Sequence, residues 1–171
     1  MFTDDVIRKY EAYAAKRERN PYLGLGSFLL ALKEVRTVSK AESRPTTTGQ
    51  MADVVNMLGY VFVFRVLEST SQQNSVGTDV DVYFRQNADK QWQRDNDMGD
   101  LIACAGTILK GAGFAYNGET SRGFLASPCE ARGFVVRCHT QAKDGTEYLY
   151  KNWTPVPQTL DQIKKVIASL V

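Results

Sequence analysis

Between Gly133 and Pro155 two extended runs flank an Asp144-Gly145 pair, and no other stretch limits the fold so tightly. Phe134, Val136 and Cys138 alternate with Val135, Arg137 and His139, and Tyr148, Leu149 and Tyr150 resume the extended pattern. Asp-Gly supplies the φ > 0 residues that a tight hairpin turn needs, so the stretch predicts a β-hairpin. One face of that ribbon is apolar. The other carries Arg137, His139, Tyr148 and Tyr150, with Trp153 just beyond, a mixture of cations and flat rings suited to a nucleic-acid-binding sheet.

The rest of the chain supplies the partners of this hairpin. Asp4 to Arg19 predicts a helix with Thr3 or Asp4 as N-cap and an apolar stripe of Val6, Ile7, Tyr10, Tyr13 and Ala14, ended by Asn20-Pro21. Ser27 to Val38 reads as a long strand, and Gly59 to Glu68 is the strongest strand signal, dense in β-branched and aromatic residues. Lys40 to Gln50 has almost nothing to bury and reads as a mobile surface loop. Thr78 to Arg85 predicts a half-buried strand with Val80, Val82 and Phe84 inward and Asp79, Asp81, Tyr83 and Arg85 outward. With Arg65 outward, strict alternation sends Tyr60, Phe62 and Phe64 to the core.

Gln86 to Asp97 reads as a charged loop holding Trp92, and the period then changes. Leu101, Ile102, Ala105, Ile108 and Leu109 define a helix over Met98 to Gly111 with Asp97 as its N-cap. Phe114 to Arg132 has no clear period and reads as a long connection. Leu160, Ile163, Val166, Ile167 and Leu170 form the stripe of a last amphipathic helix.

Without its terminal helices the chain reads strand, strand, strand, helix, strand, strand. That is the element order of the OB-fold, a mainly β, five-stranded, partly open Greek-key barrel with a helix between its third and fourth strands. A different α+β barrel or sandwich with the same element count is the alternative. The boundaries expected are an N-terminal helix over 1–20, an OB-fold domain over 21–156 and a C-terminal helix over 157–171.

From about Pro21 to Val156 the chain resembles phage-encoded single-stranded DNA-binding proteins built on one OB-fold. The resemblance lies in Pro-Tyr-Leu-Gly-Leu-Gly-Ser-Phe before a long strand, Tyr-Val-Phe-Val-Phe-Arg-Val-Leu-Glu-Ser, Val-Gly-Thr-Asp-Val, Leu-Ile-Ala-Cys-Ala-Gly, Lys-Asp-Gly-Thr-Glu-Tyr and Asn-Trp-Thr-Pro. It implies coating of single strands during replication or recombination, with replication or recombination proteins as partners. Many single-strand-binding proteins end in an acidic recruiting tail, whereas this sequence ends Ile-Lys-Lys-Val-Ile-Ala-Ser-Leu-Val, so recruitment through a tail is not expected.

Composition sets limits on function. The 171 residues carry 21 Lys+Arg against 19 Asp+Glu, a net charge of +2, so any polyanion must be held by a local patch. Hydrophobic residues make up 43% and the mean hydropathy is -0.31, which argues against wholesale disorder. No apolar run is long enough to span a bilayer and no secretory signal is visible, so a cytoplasmic protein without a membrane partner is expected. Cys104, Cys129 and Cys138, odd in number and unevenly spaced, fit reduced thiols.

Single strands are held by cations that track phosphates and by rings on which bases stack, each stack worth about 1–3 kcal/mol. The candidate binding residues are Lys33, Arg36, Arg44, Arg65, Tyr83, Arg85, Trp92, Arg137, Tyr148, Tyr150 and Trp153, with Lys143 and Lys151 as further cations. If Leu149 points inward, Tyr148 and Tyr150 point outward like Tyr83. Against this stands a plainer account in which the tyrosines cover the rim of a barrel, Trp92 plugs its end, and Asp79 and Asp81 repel phosphate. The expected ligand is single-stranded DNA, with RNA left open, and the expected affinity falls steeply with salt.

Catalysis is not expected. His139 is the sole histidine, and Cys129, Cys138 and His139 lack a second pair at zinc-site spacing, so neither cofactor nor metal is anticipated. The competing function is an OB-like interaction or virion component that binds partners, a second copy included, through its terminal helices.

Overall fold

The computed structural model describes residues 3–8, 20–115, 122–125, 128–142 and 149–170. Its centre is a five-stranded antiparallel sheet of order β3-β2-β1-β4-β5, built from β1 (Gly26–Pro45), β2 (Met51–Ser69), β3 (Asp79–Arg85), β4 (Val135–Ala142) and β5 (Leu149–Pro155). Helix α1 (Gln91–Gly111) lies between β3 and β4, and α2 (Leu160–Ser169) follows β5. The protein is therefore mainly β with helices. No helix among the described residues is long and apolar enough to cross a membrane.

Alternation sorts the sheet into two faces. Phe28, Leu30, Leu32, Phe62, Phe64, Val80, Val82, Phe84 and Val136 are fully or almost fully buried on the inner face, as the strand periodicity predicts. Leu101, Cys104, Ala105 and Ile108 of α1 cover them at i, i+3, i+4, i+7 spacing. Cys104 occupies that face where the sequence suggested Ile102, which is exposed.

Two boundaries differ from those expected. Lys40 to Gln50 is not one loop: β1 continues to Pro45, β2 begins at Met51, and only Thr46 to Gln50 turns, closed by the Thr46 amide donating to the Gln50 carbonyl at 2.7 Å. The paired strands satisfy each other's backbone groups, and backbone pairing by itself leaves no apolar period in the sequence. Because β3 pairs with β2 only from Gly59 onward, Ser39–Pro45 and Met51–Met57 run on as a two-stranded arm of roughly 24 Å at about 3.4 Å per residue. The second difference is at α1, which starts at Gln91 with Lys90 as N-cap. Arg94 donates to the Ala88 carbonyl at 2.6 Å and to Gln91 Oε1 at 2.7 Å, which ties this first turn to the chain before it.

The closed barrel is not what the described sheet forms, since β3 and β5 share no ladder. The outer edge of β3 is instead taken by the segment before β1: the Asp81 amide donates to the Pro21 carbonyl at 3.0 Å, in a short parallel bridge between Tyr22 and Asp81. The sheet nevertheless curls. Trp153 on β5 meets Phe64 and Phe84 at ring-centroid distances of 6.1 and 6.5 Å across the interior.

The C-terminal helix packs on its own sheet. Thr159 and Gln162 form a reciprocal capping box, Ile163 and Leu170 are buried, and Val166 packs with Leu29, Leu67 and Val156 around Ala31 and Val135 on the outer face. Leu160 and Ile167 of the expected stripe remain exposed. Of the expected N-terminal helix, residues 4–8 are helical and 9–19 lie outside the described residues, as does the Asp144-Gly145 turn.

Candidate nucleic-acid interface

Beyond the edge of α2, the outer face of β1, β2 and β3 is a lattice of ion pairs, and a β-bulge creates it. Leu32 pairs with Phe64 but Glu34 with Val63, so Lys33 is the extra residue and the alternation of β1 shifts by one. Leu32 and Val35 both face inward, which leaves Lys33, Glu34 and Arg36 outside. Lys33 Nζ then reaches Asp79 Oδ2 at 2.7 Å and Arg65 Nε binds the other oxygen of the same carboxylate. Arg36 bridges Glu34 at 3.3 Å and Asp81 at 3.5 Å, and Asn20 donates to Asp81 at 3.0 Å. Burial alone would raise the Asp79 pKa, but the hydrogen bonds and charges of Arg65 and Lys33 outweigh it and hold the carboxyl below its ordinary range.

A second cluster lies at the β3/β5 seam. Arg85 donates through both its amide and Nε to Asp97 Oδ2, each at 3.0 Å, so Asp97 is a buried anchor between β3 and α1 rather than the N-cap its position suggests. The gap between the strands is a cleft of about 430 Å³ lined by Tyr22, Tyr83, Arg85, Asp97, Leu149 and Lys151, together with Asp81 and Val82. A neighbouring hollow of about 290 Å³ is lined by Tyr150, Asp100, Asp95 and Gly99 and shares Lys151 with the first. Lys151 Nζ lies 3.8 Å from Asp100, whose other oxygen accepts the Trp153 indole N–H at 2.7 Å. Burial pushes the Asp100 pKa up despite the opposing pull of Lys151.

The sequence candidates thus divide into groups. Tyr83, Arg85 and Tyr150 gather around Lys151 at the seam. Lys33, Arg36 and Arg65 belong to the lattice that meets the seam at Asp81. Arg137 stands apart, paired with Glu68 at 3.1 Å beside α2. Trp92 is 41% exposed on the first turn of α1, neither in a loop nor plugging the sheet interior. Trp153 faces inward, sharing the parity of Leu149, a signal already present in the sequence. Arg44 lies on β1 opposite Ala52 with its side chain outside the described residues, and Tyr148 and Lys143 fall wholly outside them. Tyr22 was missed because its place depends on the parallel bridge to β3, which no local pattern encodes.

Cys104 and Cys138 are buried free thiols. Burial first, and the Asp100 charge second, push the Cys138 thiol up to about 12, and the same causes raise Cys104. His139 Nδ1 shares a 2.8 Å hydrogen bond with the Ser27 hydroxyl opposite it on β1. Compared with known proteins, the chain matches no family model and no curated sequence.

Proposed function

We propose that the protein binds single-stranded DNA without catalysing a reaction, through an OB-fold whose ligand crosses the outer face of β2 and β3 and runs along the β3/β5 seam. The observation that carries this reading is the meeting of Tyr22, Tyr83, Arg85, Tyr150 and Lys151 in two adjoining hollows, since rings and cations together are what a single strand requires. The strand order and the helix between β3 and β4 agree with the OB plan, in which the second and third strands and their flanking loops hold oligonucleotides. A part in phage replication or recombination follows from the family resemblance.

Ion pairing changes the expected energetics. Lys33, Arg36, Arg65, Arg85 and Arg137 each hold a carboxylate, so a phosphate must compete with an existing partner at every one of them. Stacking then carries more of the affinity than a free basic groove would imply. Each phosphate neutralised contributes about −0.7 to the slope of log K against log salt, and a slope matching only one or two phosphates is expected.

The test is a fluorescence titration with a thymidine oligomer of about 30 nucleotides and with matched duplex, across a salt series. The expected result is quenching by the single strand alone, lost in Trp92→Phe and kept in Trp153→Phe. Absence of binding to either nucleic acid at low salt would sink the proposal.

A further inference from the structure

We infer that Asn74 is a positioning residue that holds the backbone of Tyr22 so that its ring serves as a platform for one stacked base; this rests on the single-strand reading and adds the device that presents the ring. The chain just before β1, residues 20–25, meets the outer edge of β3 as a strap. Asn74, between β2 and β3 and only 1% exposed, grips it twice. Its Oδ1 accepts the Gly24 amide at 2.8 Å and its Nδ2 donates to the Tyr22 carbonyl at 3.2 Å. On one side of these bonds Asn20 donates to Asp81 and the Pro21 carbonyl accepts the Asp81 amide, each at 3.0 Å. On the other the Thr140 hydroxyl donates to the Gly24 carbonyl at 2.6 Å.

The polar side chains buried among the described residues are Asn74, Asp81, Asp97 and Thr140, and all but Asp97 bond to this strap. Burying a polar group is unfavourable unless it is bonded, so their gathering here marks a segment whose backbone is fixed. Closing the edge of β3 needs only the backbone bridge. Leu23 enters the core at 4% exposure, yet Tyr22 beside it is left 57% exposed on the wall of the seam cleft that Tyr83 also lines. A ring carried on a backbone already ordered loses little freedom when a base stacks on it, which strengthens binding by preorganisation.

A double-mutant cycle separates positioning from a general loss of structure. Affinities for an end-labelled thymidine oligomer of about 30 nucleotides are read by fluorescence anisotropy in wild type, Tyr22→Ala, Asn74→Ala and the double variant, with melting temperatures confirming folding. Tyr22→Ala is expected to bind at least about fivefold more weakly, the lower end for loss of one stacked base. Asn74→Ala is expected to weaken binding at least about twofold and to have no further effect once Tyr22 is gone. Its salt slope should stay that of wild type, because a neutral, buried side chain meets no phosphate. Should Asn74→Ala not fold, Asn20→Ala, which loosens the strap from its other end, takes its place in the cycle. Wild-type affinity in Tyr22→Ala overturns the platform. An effect of the strap variant that is absent, or equal with and without Tyr22, overturns the positioning role, and either result leaves single-strand binding intact. Failure of the wild type to bind the oligomer overturns the underlying reading instead.

Discussion

Asp79 illustrates how a residue's role is settled by its neighbours. On the outer face of β3 it resembles an obstacle to phosphate, yet it receives Lys33 at 2.7 Å and Arg65 on its other oxygen, tying three strands together. Its folded-state pKa lies below the ordinary 3.8, so the stabilisation is complete above that value and is lost as pH falls through the lower folded value. Asp79→Asn is accordingly expected to be less stable than wild type at neutral pH, with the difference closing below about pH 4. Urea midpoints measured across pH would check this, and a constant difference down to pH 2 would refute it. Trp153 makes the complementary point. Expected among the stacking rings, it instead faces inward with the parity of Leu149, and its indole partner, Asp100, is 53 positions away and became visible only in the fold.

At the scale of elements, β1 and β2 depend on two local irregularities. The bulge at Lys33 moves a run of charges outward and lets one strand serve the core at Phe28, Leu30 and Leu32 and the surface beyond. Gly59 marks where β3 ends and the arm departs. A Cβ there would lie 2.2 Å from the Phe84 carbonyl oxygen and 2.9 Å from Tyr83 Cε2, and its φ of 158° leaves the backbone little freedom to escape. Gly59→Ala is therefore expected to destabilise the protein by about 1–3 kcal/mol through overpacking. A chemical-denaturation midpoint equal to wild type would show that the β2–β3 approach is looser than this. The β1 half of the arm was illegible in the sequence because Lys40 to Pro45 combines charge, hydroxyls and proline as a loop does, and the backbone pairing that makes it a strand leaves no side-chain period.

For the whole molecule, α2 decides how much of the sheet is open to partners. Its Val166 and Leu170 cover Leu29, Ala31, Leu67 and Val135, its Ile163 joins the main core, and the carbonyls of Ser169 and Leu170 accept from Arg65 and Arg132 at 3.5 and 2.7 Å. The amphipathic stripe that suggested an oligomer contact is thus largely spent within the chain. Truncation after Pro157 would uncover an apolar patch and is expected to cause concentration-dependent association, readable by sedimentation. A truncated protein that stays monodisperse and as stable as the full chain would show that α2 is dispensable. The sequence by itself determined the inward and outward positions of the core strands, the existence of the helix between β3 and β4, and the amphipathic last helix, because burial imprints periods of 2 and 3.6 on the residues. Tertiary structure alone decided the open β3/β5 seam, the arrival of Tyr22 at its rim, the pairing of Lys33, Arg36, Arg65, Arg85, Arg137 and Lys151 with carboxylates, and the seat of α2. Those depend on contacts between residues far apart in the chain, and pairing of backbone edges and charges leaves no periodic trace in a sequence.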